Sequence, residues 1–215
     1  MNIYNIGNDF LVYNEDTHTY YLNGQEVMSV TTAMKLVNEK YQFVPKSTLV
    51  NAQMRGNRVH HEVQMYENYR VEPNPPSKEL ENYKLLKKIF KFEFIDSETP
   101  VIIRYNDMVL VGRYDLLVSV NGLKTLLDIK TTATYYKFDI ALQTALYKLG
   151  YNQCYGNEKG NVEACGGIHL NNSKYKFDLY LPKVDLDLFF EQLKQAIKDK
   201  KEKENGVSDN SRSLG

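Results

Sequence analysis

Two aspartates and a lysine carry the first chemical signal in the sequence. Asn121-Gly122 is a dipeptide preferred in two-residue hairpin turns. Counting outward from it, Val120 faces Leu123, Ser119 faces Lys124, and Asp115 faces Asp128. Directly opposed side chains have Cβ atoms about 4.5–5.5 Å apart, and like charges there destabilise a sheet. Both aspartates stand among apolar neighbours, in YDLLV and LLDIK. Two ionised carboxylates in such surroundings want a cation between them. Lys130 lies two residues beyond Asp128 and projects from the same face, about 6–7 Å along the strand. Paired oxygen donors beside an ammonium suit metal-assisted hydrolysis. A hard divalent ion polarises a phosphoryl oxygen and acidifies its water, and the lysine orients that water or steadies developing charge. The competing reading is an Asp–Lys pair on the outer face of a sheet, and a one-residue register slip would break the geometry.

Strands must hold that pair. Residues 101–105, 108–120 and 123–130 are rich in Val, Ile, Leu and Tyr. Asn106-Asp107 and Asn121-Gly122 separate them, which predicts a three-stranded antiparallel meander. Upstream, residues 10–30 predict a hairpin about Asn23-Gly24, followed by a helix over 32–41 capped by Ser29 or Thr31. A helix over 47–70 shows an apolar stripe through Val59, Val63 and Tyr66, and VEPNPPS at 71–77 stops it. Further helices are predicted over 78–92 and 138–151, strands over 166–170 and 174–181, and a charged amphipathic helix over 185–203. This order predicts an α/β fold of mixed α+β character, in which helices flank a central mixed sheet. One domain over 1–204 is expected: hairpin and helices over 10–95, a core over 98–182 and a closing helix over 185–204, with a disordered tail at 205–215.

Composition narrows the function classes. The chain has 215 residues, which suits one domain. Its 27 basic and 27 acidic residues cancel, which argues against a protein that coats polyanions by charge alone. A local basic groove can still sit on a neutral chain. Lys35, Lys40, Lys46, Arg55 and Arg58 make one region basic, as a DNA-contact surface or simply for solubility. No apolar run is long enough to span a bilayer, and the start, MNIYNIGNDFLVYNED, lacks the features of a secretory signal. Two cysteines, Cys154 and Cys165, cannot build a disulfide scaffold or a four-cysteine metal site. A reducing cytoplasm is the expected compartment.

VGRYD, then DIK, then QTALY together resemble the PD-(D/E)XK nuclease superfamily, in its RecB-like branch. That branch shows a G-x-x-D strand, D-x-K on the next strand and a Q-x-x-x-Y helix. These are Gly112 to Asp115, Asp128 to Lys130, and Gln143 to Tyr147 in this sequence. An upstream G-x-x-x-H helix start is matched by Gly56 and His60, and DTHTYYLNGQEVMSVTT is similar to small phage-type exonucleases of the branch. The resemblance covers roughly residues 10–150 and implies an α-β-β-β-α-β core like the order read above. It implies Asp115, Asp128, the Ile129 carbonyl and His60 as ligands for Mg²⁺ or Mn²⁺, and Lys130 as the catalytic lysine. Gln143 and Tyr147 would contact DNA or orient the catalytic groups, and Glu98 stands where relatives often carry a glutamate on the strand entering the meander. The implied activity is a DNA exonuclease of phage recombination type. The same core also serves structure-selective or restriction-type endonucleases and inactive binding modules. A strand-annealing recombination protein and further copies of the chain are the partners suggested by analogy.

Some residues depart from the pattern or stay open. Gln64 stands where relatives often have a glutamate four residues after the histidine. Cousins with an iron–sulfur cluster use four cysteines, so no cluster is expected. His60 lies about 100° around the helix from Val59 and His61 about 200°, which favours His60 as the one at the site. Arg113 would face Lys130 across the hairpin, or point away after a bulge. His18 and His169 are read as structural.

Overall fold

The computed structural model describes residues 1–38, 46–171 and 174–212. It begins with four antiparallel strands in sequence order: β1 (Asn2–Ile6), β2 (Asp9–Asn14), β3 (Thr19–Leu22) and β4 (Gln25–Val27). Helices α1 (Val30–Val37), α2 (Lys46–Tyr69) and α3 (Lys78–Phe90) follow. Five strands come next: β5 (Glu93–Ser97), β6 (Pro100–Tyr105), β7 (Met108–Arg113), β8 (Leu116–Val120) and β9 (Leu123–Lys130). Helix α4 (Lys137–Lys159), β10 (Ala164–Leu170), β11 (Tyr175–Asp178) and α5 (Leu186–Arg212) complete the chain. The fold is thus mixed α+β. Its central sheet has the order β11-β10-β9-β8-β5, with β9 and β10 parallel and the other pairs antiparallel.

Local chemistry explains the elements that position the site. Asn121 and Gly122 both take positive φ, 51° and 82°, as a tight hairpin turn requires. The register set by that turn runs from Val120↔Leu123 to Leu116↔Leu127. Ser29 caps α1, its Oγ accepting the Thr32 N–H at 3.1 Å, and Ser77 caps α3 in the same way at Leu80. Side chains alternate across the central sheet. Leu117 and Leu126 pack with Leu142 and Leu146 of α4. Leu116, Val118, Leu127 and Ile129 pack on the other face with Val59 and Val63 of α2 and Leu80 of α3. Two helical layers therefore cover the sheet, each burying an apolar face.

The expected three-stranded meander is corrected. Residues 108–120 form two strands in two different sheets: β7 pairs with β6, and β8 pairs with β5 and β9. The pairing count nevertheless runs through the break. Pro100 opposes Arg113, and three residues further on each strand Ser97 opposes Leu116. Between them the Glu98 N–H donates to the Asp115 carbonyl at 3.2 Å and the Tyr114 N–H to the Thr99 carbonyl at 3.3 Å. One long ribbon thus bends at this step, with Glu98 in the left-handed region at φ 54°. Tyr114 is buried at the bend and donates its hydroxyl to Asp96 at 2.6 Å.

Other expectations shift at the ends. Strands β1, β2 and β5 join the fold beyond the predicted hairpin and meander. Helix α5 continues through residue 212, so the tail expected to be disordered from 205 is helical to that point. Lys198–Glu202 and Lys200–Glu204 pairs lead into this extension. Residues 213–215 lie outside the described residues.

Candidate active site

The bend in the ribbon aligns three carboxylates. Glu98 opposes Asp115 through the backbone bond just described. Asp115 and Asp128 stand one step beyond the last β8–β9 pair, Leu116↔Leu127, so the opposition counted from the turn holds. The ladder stops there because Asp115 uses its side chain instead: its Oδ2 accepts the Ile129 N–H at 2.6 Å.

Helix α2 brings the histidine. Val59 and Val63 are fully buried against the sheet, which turns His60 onto the end of the carboxylate row. Its Nε2–H donates to the Ile129 carbonyl at 3.0 Å, and this directs Nδ1 toward the acids. Nδ1 lies 3.3 Å from Asp115 Oδ1 and 3.8 Å from Glu98 Oε1. One donor atom each from His60, Glu98 and Asp115 lies within 4.8 Å of the others, the compass of a metal site. One nitrogen and several carboxylate oxygens form a donor set suited to Mg²⁺ or Mn²⁺, and the buried Asp128 Oδ2 has no hydrogen-bond partner among the described residues. The residues present therefore fit a hard divalent cation. Glu98 belongs to this group of three and Asp128 borders it. The Ile129 carbonyl, expected as a ligand, is held by His60 and keeps a second lone pair.

The electrostatics are strained without a cation. Burial opposes charge on His60, yet Asp115 and Glu98 outweigh it and push the imidazole up to about 10. Burial also works against Asp115, but His60 and Lys130 hold its carboxyl below the usual range. Burial, with Asp115 alongside, pushes Asp128 up to about 6 although Lys130 opposes the shift. Lys130 Nζ donates to Asp128 Oδ1 and to Gln143 Oε1, both at 2.9 Å. The Gln143 amide reaches the Tyr147 hydroxyl at 3.4 Å. Tyr147 in turn packs on Gly112: a Cβ there would stand 2.6 Å from the ring. The spacing of Gly112 and Tyr147 in the sequence thus reflects one physical contact.

His60, Glu98, Asp115, Lys130, Gln143 and Tyr147 line one cleft of about 720 Å³, and the buried Asp128 is not part of that lining. Gln64 and the exposed His61 lie on its α2 wall, and Thr31 and Lys35 on its α1 wall. Tyr13, His18 and Tyr20 line it from the N-terminal sheet, which sequence reasoning did not foresee; the only hint was the run of aromatics in the 10–30 hairpin. Arg113 does not pair with Lys130. The bend sends it to Glu98, with Nε at 2.6 Å from Oε2. His169 is buried, and its Nε2–H donates to the Thr132 carbonyl at 2.7 Å. Two of the five basic residues are engaged elsewhere: Arg55 binds the Thr131 carbonyl and Arg58 bridges Glu62 and Glu79, while Lys40 lies outside the described residues.

No protein-family model and no curated protein matches the chain. Among solved structures it is similar to the crystal structure of SSO0001, with 12% identity and a TM-score of 0.41 over 77% of this chain and 73% of that one. A likeness that loose assigns neither fold family nor function. Among the described residues, no helix is long and apolar enough to cross a membrane.

Proposed function

We propose that the chain is a divalent-metal-dependent deoxyribonuclease with a PD-(D/E)XK core, acting as an exonuclease of phage recombination type. The observation that carries this reading is the junction of two groups. Lys130, fixed between Asp128 and Gln143, stands beside the donors His60, Glu98 and Asp115. His60, Glu98 and Asp115, with Asp128 bordering them, would hold the cation, here Mg²⁺ or Mn²⁺. Such an ion supplies Lewis acidity at a phosphoryl oxygen and acidifies water.

The chain's own groups do the rest. Lys130 donates protons from a fixed ammonium, which orients an attacking water and steadies negative charge as it builds on phosphate. Gln143 keeps that ammonium from folding fully onto Asp128, because it offers a second acceptor at the same distance. Tyr147 locks Gln143 from below, and its own hydroxyl stays protonated because burial raises its pKa well above the ordinary value. The His60 Nε2–H bond to Ile129 holds the imidazole with Nδ1 toward the acids. Each group is preorganised before substrate arrives, which is where most of such catalysis comes from.

The test is a nuclease assay on end-labelled linear duplex, single-stranded DNA and closed circular plasmid, in Mg²⁺, Mn²⁺ and EDTA. Metal-dependent loss of linear DNA that spares the circle and vanishes in Lys130→Ala is expected. Cutting of the circle would replace the exonuclease by an endonuclease. Silence on every substrate from folded protein would reject the catalytic reading.

A further inference from the structure

The N-terminal sheet changes character along its inner face. Leu11 and Leu22 are cross-strand partners and lie in the core. Two residues further along each strand, on the same face, stand Tyr13 and Tyr20, again partners, with ring centroids 4.6 Å apart. Here the sheet leaves the core and overhangs the cleft. Aliphatic side chains give way to flat aromatic ones at the point where the wall becomes accessible.

The upper ring is fixed in place. The Tyr13 hydroxyl is 2.8 Å from His18 Nδ1, and the Arg113 guanidinium carbon lies 5.6 Å from the Tyr13 ring centroid. His18 is exposed and held at φ 53°, a left-handed conformation that stations it at the lip of the cleft. Arg113 also grips Glu98, so one side chain touches both the aromatic pair and the donor group. Much of the remaining lining is neutral and polar, including Thr31, Gln53, Asn57 and Gln64.

We infer that the Tyr13–His18–Tyr20 wall is a stacking subsite for an unpaired nucleobase, next to the phosphate to be cleaved. This rests on the nuclease reading and names its substrate class: a single strand or frayed end rather than an intact duplex. Charge supports it. The chain is neutral as a whole, so long-range attraction to a polyanion is weak, and affinity must come from short-range contacts. Base stacking on aromatic rings supplies such contacts without regard to sequence. A base inside a duplex has both faces covered by its neighbours and cannot use the wall. A rigid ring loses little entropy on stacking, which is what the bonds to His18 and the cross-strand partner secure.

The experiment measures binding without turnover, in EDTA. The probe is a thymidine oligonucleotide of about a dozen residues carrying 2-aminopurine near one end or the other, beside a blunt duplex of equal length. Aminopurine emission should fall on binding to the wild-type chain, and the duplex should bind more weakly. Tyr13→Leu should weaken single-strand binding about tenfold and restore the emission, whereas Tyr13→Phe, which keeps the ring but loses the His18 bond, should weaken binding by about threefold at most and keep the emission quenched. Melting curves confirm that both variants fold, and steady-state cleavage should show Tyr13→Leu raising KM with little change in kcat. Binding and emission indifferent to residue 13, or a blunt duplex bound as tightly as the single strand, would overturn the subsite alone. No binding of either form by folded wild-type protein would overturn the subsite, and the nuclease reading falls with it only if the same protein is also silent in the cleavage assay with Mg²⁺ and Mn²⁺.

Discussion

Glu67 and Asp128 are both buried carboxylates, 4% and 1% exposed, and their surroundings differ in one respect. Every direction around Glu67 is closed by a donor. Its Oε1 accepts the Tyr83 hydroxyl at 2.7 Å and Lys87 at 2.6 Å, and its Oε2 accepts Lys87 at 2.7 Å and Arg70 at 3.1 Å. This group ties α2 to α3. Asp128 has one oxygen on Lys130 and one with no hydrogen-bond partner among the described residues, and it shares its row with Asp115 and Glu98. The first neighbourhood spends its charges on the fold. The second crowds them into one row at the end of a cleft that Glu98 and Asp115 line, with Asp128 buried beside them. A buried ionised group that is fully paired supports structure, and one left partly open marks chemistry.

The largest effect should come from the open side. Lys130→Ala should cut metal-dependent DNA hydrolysis by about 10³-fold or more while the melting temperature moves little, measured by single-turnover cleavage and thermal denaturation. A variant that unfolds, or one that retains activity, would erase the distinction drawn above.

The closed side should respond in the opposite way. Glu67→Ala strands the Lys87 ammonium and the Tyr83 hydroxyl and should cost about 3 kcal/mol of stability in urea denaturation. Cleavage per folded molecule should stay unchanged at low temperature, because the partners of Glu67 among the described residues are Tyr83 and Lys87 of α3 and Arg70 just past α2, none of which lines the cleft.

Asp128→Asn should stabilise the metal-free chain, and its pH dependence tests why. The folded carboxyl is pushed from 3.8 up to about 6, chiefly by burial, so the folded state holds this proton more tightly than the unfolded state. The stability it contributes is present in full below about pH 4 and is lost as pH rises through about 6. The variant's advantage should therefore vanish below about pH 4, grow to about 3 kcal/mol by pH 7 in EDTA, and stay flat above. Adding Mn²⁺ should raise the wild-type melting temperature and leave the variant nearly unmoved.

The smallest effect calibrates the rest. Lys194 and Asp107 form an ion pair 3.2 Å long with both side chains more than two-thirds exposed, at 68% and 69%. Lys194→Ala should change neither stability nor cleavage measurably, because solvent screens such pairs.

The legible parts of the molecule were those governed by nearby residues. Asn121-Gly122 set the β8–β9 register, and with it the opposition of Asp115 to Asp128 and the shared face of Lys130. The apolar stripe of α2 turned His60 rather than His61 to the site. The illegible parts depended on distant partners. The run at 108–120 keeps its apolar pattern across the bend, so nothing local announced that β7 and β8 enter different sheets. The short acidic segment of β5, EFIDS, gave no alternation strong enough to read as a strand. Without β5 the residue facing Asp115 from its other side could not be counted, and Glu98 entered by resemblance alone. The same blind spot placed Arg113 opposite Lys130, when the bend gives it to Glu98. The aromatic wall was hidden because it requires a whole additional sheet to fold over the cleft.

The bent ribbon makes turn length a ruler for the carboxylate row. Glu98, Asp115 and Asp128 are aligned by counting back from two tight turns, at Asn106-Asp107 and Asn121-Gly122. Adding or deleting one codon in either turn moves a donor to the opposite face of its strand. The same change in the turn after β1 or in the connection between α2 and α3 leaves the row untouched. A change of length is therefore tolerable in some connections and ruinous in two of the shortest, where the number of residues matters more than their type.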